Sequence, residues 1–436
     1  MDKTKIATTD KNFPIPLFDT LDFIQEQFKE CQKGNPKDIL TSWLNQCFKD
    51  SGVSFPVNGY IDYLHILNFL YSYRGSQDTF NAYRRELERL VQWSWMIQKK
   101  SILELKRFDI EAFIEFCQKP EKNWIGIKTV SRFINEMGVR TVNKEWRPFI
   151  VKVSKKSFKK GDLPVIEKFE LSSEGIKQIF AILGSFYNYL IQEEATEINP
   201  VLQIRQKSKF IRKQQKVITI RRLSAIQWDA VIETAFVMAA ENPILHERTL
   251  FIINALYRMY LRISELAASK RWTPMMRDFF RDSNGDWWFK TVGKGNKLRQ
   301  VAIDPEMFAA LKRWRIFLGL SPIPSIDELT PLIPKNKGKG AIESTRAIRN
   351  IVQECFDKAV EKLIQENKNE EAEMLRSVTV HWLRHTGISD DVKVRPKEHV
   401  RDDAGHSSSA ITDRYIDVEL KERAASAKKK RSEPVR

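Results

Sequence analysis

Cysteine is scarce and scattered: Cys31, Cys47, Cys117 and Cys355 are the four in 436 residues, and no two form a C-x-x-C pair. That excludes a disulfide-stapled miniprotein, argues against a zinc knuckle or a redox pair, and fits structural thiols in a reducing compartment. Long hydrophobic runs are missing too. The longest uncharged apolar stretch, residues 179–191, contains Ser185, Tyr187, Asn188 and Tyr189 and stays short of the ~18 residues that cross a bilayer. The opening Met1-Asp2-Lys3-Thr4-Lys5 has no apolar stretch of the kind a secretory signal needs, so a cytoplasmic, nucleoid-associated protein without a membrane partner is expected. No internal repeat is present.

What the chain does have is positive charge. Lys and Arg number 73 against 56 Asp and Glu, a formal +17, and such an excess on a folded chain favours polyanions, nucleic acid first among them. With 42% apolar and 30% charged residues the composition is that of an ordinary globular protein, and the length suits two or three domains.

Helical periodicity dominates up to about residue 205. Segments 17–28, 39–48, 79–93, 109–117, 127–137 and 172–190 each read as amphipathic helices. In 79–93, Tyr83, Leu87, Leu90 and Val91 define the apolar face; the charges, Arg84 and Arg85 among them, should lie opposite, where they could follow a DNA backbone. A Lys-rich stretch, 152–168, reads as a β-hairpin or a basic loop. After Asn199-Pro200 comes a run that includes Lys209, Arg212 and Lys213, best read as a basic linker. The expected organisation is an N-terminal helical extension (1–60), a helical domain (61–204, with the Lys-rich insertion at about 150–170), the linker (205–222) and a C-terminal domain (223–436). In that last domain helices at 226–240 and 247–268 precede strands at 276–280, 286–291 and 298–303, and helices return at 305–318 and 346–365.

Four of the six histidines, His381, His385, His399 and His406, crowd into the last 56 residues beside Arg384, Arg395, Arg401, Arg414 and Tyr415. His381 and His385 could share a helix face as metal ligands, but no Glu follows the first and no third ligand is evident, so no metal and no cofactor are expected. A different chemistry fits better. Two arginines can clamp a phosphodiester and stabilise charge on its oxygens, a tyrosine phenol can attack the phosphorus, and a lysine or histidine can protonate the departing sugar oxygen.

The segments that hold these residue types resemble the tyrosine site-specific recombinases, or phage-type integrases. Leu261-Arg262-Ile263-Ser264-Glu265-Leu266 is similar to the box around the family's first catalytic arginine, and Gly293-Lys294-Gly295-Asn296-Lys297-Leu298-Arg299 to its lysine-bearing β-hairpin. His381-Trp382-Leu383-Arg384-His385-Thr386 resembles the H-x-x-R-H-T box, and Gly405-His406-Ser407-Ser408 stands nine residues before Tyr415 as in the family. Residues 79–93 and 172–200 are similar, more distantly, to the first and last helices of the family's core-binding domain.

The resemblance implies a fold that is mainly α with a small antiparallel β-sheet, a helical core-binding domain and a mixed α+β catalytic domain forming a two-lobed DNA clamp. It implies a site-specific recombinase or integrase that cleaves and rejoins DNA through a 3′-phosphotyrosyl intermediate, without metal or ATP, to integrate or excise a mobile element. Tyr415 would be the nucleophile, Arg262 and Arg384 the phosphate clamp and Lys294 the general acid. His381 would assist proton transfer, His406 would hydrogen-bond the phosphate, and Glu265 would orient its neighbours. Partners would be double-stranded DNA, three further copies in a homotetramer on two DNA sites, and accessory DNA-bending factors; Arg84, Arg85, Lys209, Arg212, Lys213 and Arg299 are DNA-binding candidates. Rivals are a type IB topoisomerase or telomere resolvase, a non-catalytic DNA-binding regulator, and a metal-dependent nuclease. Two stretches depart from the family's usual apolar pattern: Gly387 through Lys393 is polar and acidic, and Asp402-Asp403-Ala404 precedes Gly405-His406.

Overall fold

The computed structural model describes residues 13–49, 55–153, 157–158, 161–204, 210, 221–293, 295–406, 412 and 427. The chain divides into two compact units, Met1–Lys216 and Val217–Arg436. Helices make up most of both, with one three-stranded antiparallel sheet in the second, the mainly α architecture expected.

In the first unit the helices are α1 (Leu21–Lys33), α2 (Pro36–Phe48), α3 (Gly59–Ser72), α4 (Gln77–Trp93), α5 (Arg107–Gln118) and α6 (Ser173–Gln192). Local signals set their starts. The Thr20 hydroxyl accepts from Phe23 N, Asn35 accepts from Lys37 N with Pro36 at the first helical position, and Ser172 accepts from Gly175 N. Leu40, Leu44, Ile66, Leu67, Leu87, Leu90, Phe113, Ile179 and Leu183 share one hydrophobic core, and Ile15, Leu17 and Phe18 of the segment before α1 are buried in it as well.

That packing overturns the expected polar face of α4. Glu86, Glu88, Arg89 and Gln92 are buried, because the helix is covered on the side where its charges lie. The Glu88 carboxylate accepts from Leu17 N at 2.8 Å and Phe18 N at 3.2 Å and pairs with Arg132, while Gln92 accepts from Ile15 N at 2.9 Å. A segment without regular structure brings backbone N–H groups that need acceptors, and these side chains supply them. On the opposite flank Arg89 donates to the Pro148 carbonyl at 2.6 Å.

Residues 127–137, expected to be a helix, are not. β2 (Phe133–Glu136) pairs antiparallel with β3 (Val139–Val142). The reason is the turn: Met137 and Gly138 have φ of 48° and 83°, the pair of positive values that a tight two-residue hairpin requires. The apolar spacing that suggested a helix leaves Met137 wholly exposed. Flanking this hairpin, β1 (Ile125–Gly126) runs parallel to β4 (Phe149–Ile150). Of the Lys-rich stretch, the final part forms a single 3-10 turn, Ile166–Lys168; the basic linker lies almost wholly outside the described residues.

The second unit opens with α7 (Ala225–Glu241), capped reciprocally by Ser224 and Gln227, and α8 (Pro243–Arg258). The expected single helix over 247–268 is broken. α8 ends at Arg258, Tyr260 takes a left-handed φ of 49°, and a short α9 (Ile263–Leu266) follows with Arg262 as its N-cap. The strands β5 (Phe279–Arg281), β6 (Trp287–Val292) and β7 (Leu298–Ala302) form a meander with Thr291 opposite Arg299. Then come α10 (Pro305–Phe317), α11 (Thr345–Gln365), α12 (Asn369–Leu375), α13 (His381–Asp391) and α14 (Lys397–Ala404). Leu250, Ile253, Leu256, Phe289, Val301, Leu311, Val352, Phe356 and Leu383 build its main core. A small separate cluster of Tyr260, Ile388, Val400 and Ala404 joins α13 to α14. Among the described residues no helix is long and apolar enough to cross a membrane.

Candidate active site

The break after α8 is what exposes Arg262. As N-cap of α9 it keeps an extended backbone (φ −75°, ψ 147°), and Glu265, one turn on, accepts from its backbone N and from its Nη1, both at 2.8 Å. Glu265 is 2% exposed, and it holds a second cation: Arg299 Nη2 donates to Oε2 at 2.5 Å. Arg299 comes from β7, and its Nη1 donates to the Asp403 carbonyl. It was expected to face DNA, and its side chain is only 7% exposed. The register of β7 against β6 turns it inward, so it braces the site instead of touching a duplex.

The β6–β7 hairpin closes with Gly293 N donating to the Lys297 carbonyl at 2.8 Å. A β-carbon on Gly293 would sit 3.5 Å from Glu265 Oε1 and 3.6 Å from Arg262 Nη1, so the base of the hairpin lies against the first arginine. Lys294 itself lies outside the described residues.

Arg384 sits on α13, 2% exposed. Its Nη1 donates to the Tyr260 carbonyl, its Nη2 to the Ala404 carbonyl at 2.6 Å, and Nη2 also lies 3.4 Å from His406 Nε2. α13 is anchored at its other side by Thr386, whose hydroxyl accepts from Leu223 N at 3.0 Å. His406 follows the left-handed Gly405 that ends α14, and its Nδ1 is 3.0 Å from the Thr412 hydroxyl. Left-handed geometry favours glycine, and the site needs it here for a second reason: a β-carbon at 405 would stand 2.7 Å from Arg299 Cδ.

His381 and His385 meet edge to face, ring centroids 4.3 Å apart. Burial lowers the pKa of His381, and the fields of Arg384, Arg262 and Arg221 lower it further. Burial and then Arg384, Arg262 and Arg299 take His406 down to about 4, and burial with His381 and Arg384 takes His385 to about 3. At neutral pH the imidazoles are therefore neutral within a strongly cationic setting, which is a place for an anion. Among the described residues no group of three or more His, Cys, Asp or Glu is arranged to hold a metal ion.

Of the six residues expected to act together, the structure brings four to one place, Arg262, His381, Arg384 and His406; Lys294 and Tyr415 fall outside the described residues. Of the DNA-binding candidates, Arg84 is turned inward, donating to the Asp19 carbonyl and to Asn81 Oδ1 at 2.9 Å. Arg85 is half-exposed and pairs with Glu86 at 2.6 Å. Lys209, Arg212 and Lys213 lie outside the described residues.

Sequence reasoning named Arg395 only as a cation near the histidines and missed its partners Tyr260, Asp391 and Asp403, with which it forms a polar web behind Arg384. The signal was the acidic wording of Asp390-Asp391 and Asp402-Asp403. It also missed Arg349, which shares a cavity of about 190 Å³ with Leu256, Leu261, Ile263, Thr379, Val380 and His381.

No family model matches the chain. It is 25% identical over 229 residues to a tyrosine recombinase XerD of Rickettsia conorii, 51% of this chain, and spans 61% of the length of that relative. It is also 25% identical over 324 residues to a tyrosine recombinase XerC of Bacillus pumilus, covering 71% of this chain and 91% of the relative. In shape it is similar to a XerH site-specific recombinase solved with a palindromic difH substrate after cleavage, with a TM-score of 0.50 and 16% identity over 95% of this chain and 97% of the other. That likeness shows the fold.

Proposed function

The chain belongs to the tyrosine recombinase family, and from that premise we propose that it is a site-specific DNA recombinase that integrates or excises a mobile element. The observation that supports this best is the meeting of Arg262 and Arg384, 122 positions apart in sequence, around histidines that feel both guanidinium fields.

In this reading the scissile phosphate enters between the two guanidinium groups, which bind its non-bridging oxygens and stabilise the added charge at the five-coordinate phosphorus. The Tyr415 oxygen attacks; its bond to phosphorus forms as the bond to the 5′ oxygen breaks, leaving a 3′-phosphotyrosyl link. The phenol proton leaves with help from His381, and Lys294 protonates the departing 5′ oxygen. His406 donates a hydrogen bond to the phosphate. Glu265 holds Arg262 at both ends and touches no substrate. Attack by the partner strand's 5′-hydroxyl reverses these steps and reseals the DNA, so the phosphodiester energy is conserved and neither ATP nor a metal is required. Double-stranded DNA is the substrate, and the working assembly is four protomers on two sites with accessory DNA-bending factors, in the nucleoid.

The test is a detergent trap in cells that carry the native DNA, comparing wild type with Tyr415→Phe and sequencing the DNA left covalently on protein. Adducts seen only with wild type support the reading and give the target site. Equal adducts from both variants overturn Tyr415 as the nucleophile, and none from either despite confirmed expression and DNA binding overturns the reading in favour of a non-catalytic DNA-binding protein.

A further inference from the structure

Arg384 is held by main-chain oxygens from two separate segments, the Tyr260 carbonyl after α8 and the Ala404 carbonyl at the end of α14. The side chains of those same segments converge on another arginine. Arg395, in the turn between α13 and α14, donates from Nη1 to the Tyr260 phenol oxygen at 3.1 Å and to Asp391 Oδ2 at 3.0 Å, and from Nη2 to Asp403 Oδ2 at 2.6 Å. The Tyr260 phenol itself donates to Asp391. One guanidinium thus ties together, through the side chains of Tyr260 and of Asp403, the residue before Ala404, the two segments whose backbone fixes the other.

We propose that Arg395 is a positioning residue: through Tyr260 and Asp403 it sets the two carbonyls that aim Arg384 at the scissile phosphate. This rests on the recombinase reading above and goes beyond it, since Arg395 contacts no substrate.

Three observations argue that the polar clamp, more than apolar packing, sets this geometry. The apolar cluster shared by these segments is small: Tyr260, Ile388, Val400 and Ala404, with Val392 partly buried. Tyr260 holds a φ of 49°, a left-handed conformation that a bulky residue adopts only when its surroundings enforce it. Asp403 is further tied by Ala302 N, 3.4 Å from Oδ1, and by Arg299 on its carbonyl, so a shift of Asp403 would move Ala404 O on one side and Arg299 on the other.

Asp403 is buried and Arg395 half-buried, and an ion pair held largely out of water is often replaceable by apolar side chains without loss of stability, which separates positioning from mere support. In the full-length protein, the double variant Arg395→Met/Asp403→Leu is expected to unfold at or above the wild-type temperature and to bind DNA as tightly. Its covalent adducts in the cellular trap should fall about 100-fold, the order that a misplacement near 1 Å produces. Arg395→Lys, which can keep one of the two ties, should recover part of that loss. Nitrogen-15 spectra of arginine-labelled protein, with Arg384 assigned by its loss in Arg384→Lys, give a readout independent of catalysis. The wild-type Arg384 Nη signals should be separate, as for a guanidinium that cannot rotate, and averaged in the double variant.

Wild-type adduct yield from the double variant, or Nη signals still separate in it, overturns the proposal. If wild type itself makes no adduct, the recombinase reading fails while the spectra still decide whether Arg395 fixes Arg384. Should the double variant not fold, Asp403→Asn, which keeps the shape and removes the charge, is read in the same two ways.

Discussion

Gly387 presses so closely on the Tyr257 carbonyl oxygen that a β-carbon at position 387 would lie 2.0 Å from it. The helix that carries Arg384 therefore meets α8 backbone to backbone, and no side chain fits between them. This contact decides how deep α13 sits, and with it where Arg384 and the neutral imidazoles of His381 and His385 stand.

Gly387→Ala should accordingly push α13 off α8. Overpacking of this kind costs about 1–3 kcal/mol, and the displacement carries Arg384, three residues earlier in the same helix, out of reach of one of its carbonyls. Thermal unfolding of the variant measures the cost; a midpoint equal to that of wild type would show that α8 yields instead.

Glu265→Ala should be among the most damaging substitutions in the second unit. Glu265 is 2% exposed and pairs with Arg262 and Arg299, and removing one partner of a buried ion pair costs roughly 3–5 kcal/mol because the remaining charges are stranded. Glu265→Gln, which keeps the shape and can accept one of the bonds, should lose less. Urea unfolding of both variants against wild type gives the ranking, and equal losses would contradict it.

Glu88→Ala tests the inverted face of α4. The carboxylate satisfies Leu17 N, Phe18 N and Arg132, so its loss leaves buried donors without an acceptor, at about 1–3 kcal/mol for such a group. The first unit should unfold earlier, with proteolysis near residues 13–19 as a second readout. A variant of unchanged stability but weaker DNA binding would restore the view of α4 as a DNA-facing helix.

The histidines give a pH dependence of definite sign. His406 is held down to about 4 by burial and by Arg384, whereas an unfolded chain titrates its histidines near 6.5. Between those values the unfolded state takes up a proton that the folded state refuses, so this contribution is complete above about 6.5 and is lost as pH falls towards 4. Folded-state pKa values raised by burial at Asp390 and Asp403 act with the opposite sign, so the clean measurement is a difference. His406→Asn should show a shallower fall in unfolding free energy from pH 7 to pH 5 than wild type. Parallel curves would mean that His406 titrates as an ordinary exposed histidine.

DNA affinity should fall linearly with the logarithm of salt concentration, as phosphate contacts release counterions. Replacing Lys209, Arg212 and Lys213 together should make that slope shallower, whereas Arg84→Ala, whose guanidinium is already taken by Asn81 and the Asp19 carbonyl, should leave it unchanged. A binding titration at several salt concentrations distinguishes the two sets.

How much of this the sequence shows depends on whether a residue's role is local. Helix starts were legible at Ser172 and Ser224 because a cap and its partner lie within one turn, whereas periodicity places the start at Asn35-Pro36 three residues late, at 39. The strands after residue 276 were legible from their alternation and their turns. Arg262, Arg384 and His406 could be picked out because short boxes carry them. The contributions of Arg299 and Arg395 could not, since each depends on a backbone oxygen or carboxylate delivered by a distant element. The polar face of α4 misled for the same reason: periodicity reports that charges share a side, and only the fold reports that residues 13–19 cover that side. At Met137-Gly138 a helical spacing of apolar residues competed with a two-residue turn, and the turn prevailed.

The doubly fastened Arg262 has one further consequence. A long side chain free in solution samples many rotamers, and fixing it on a ligand costs up to about 1.5–2 kcal/mol of entropy. Here Glu265 takes both the backbone N and the Nη1 of Arg262, so most of that freedom is surrendered when the chain folds. An arriving anion meets a guanidinium already in place, and its affinity is not diminished by the ordering of the group that receives it.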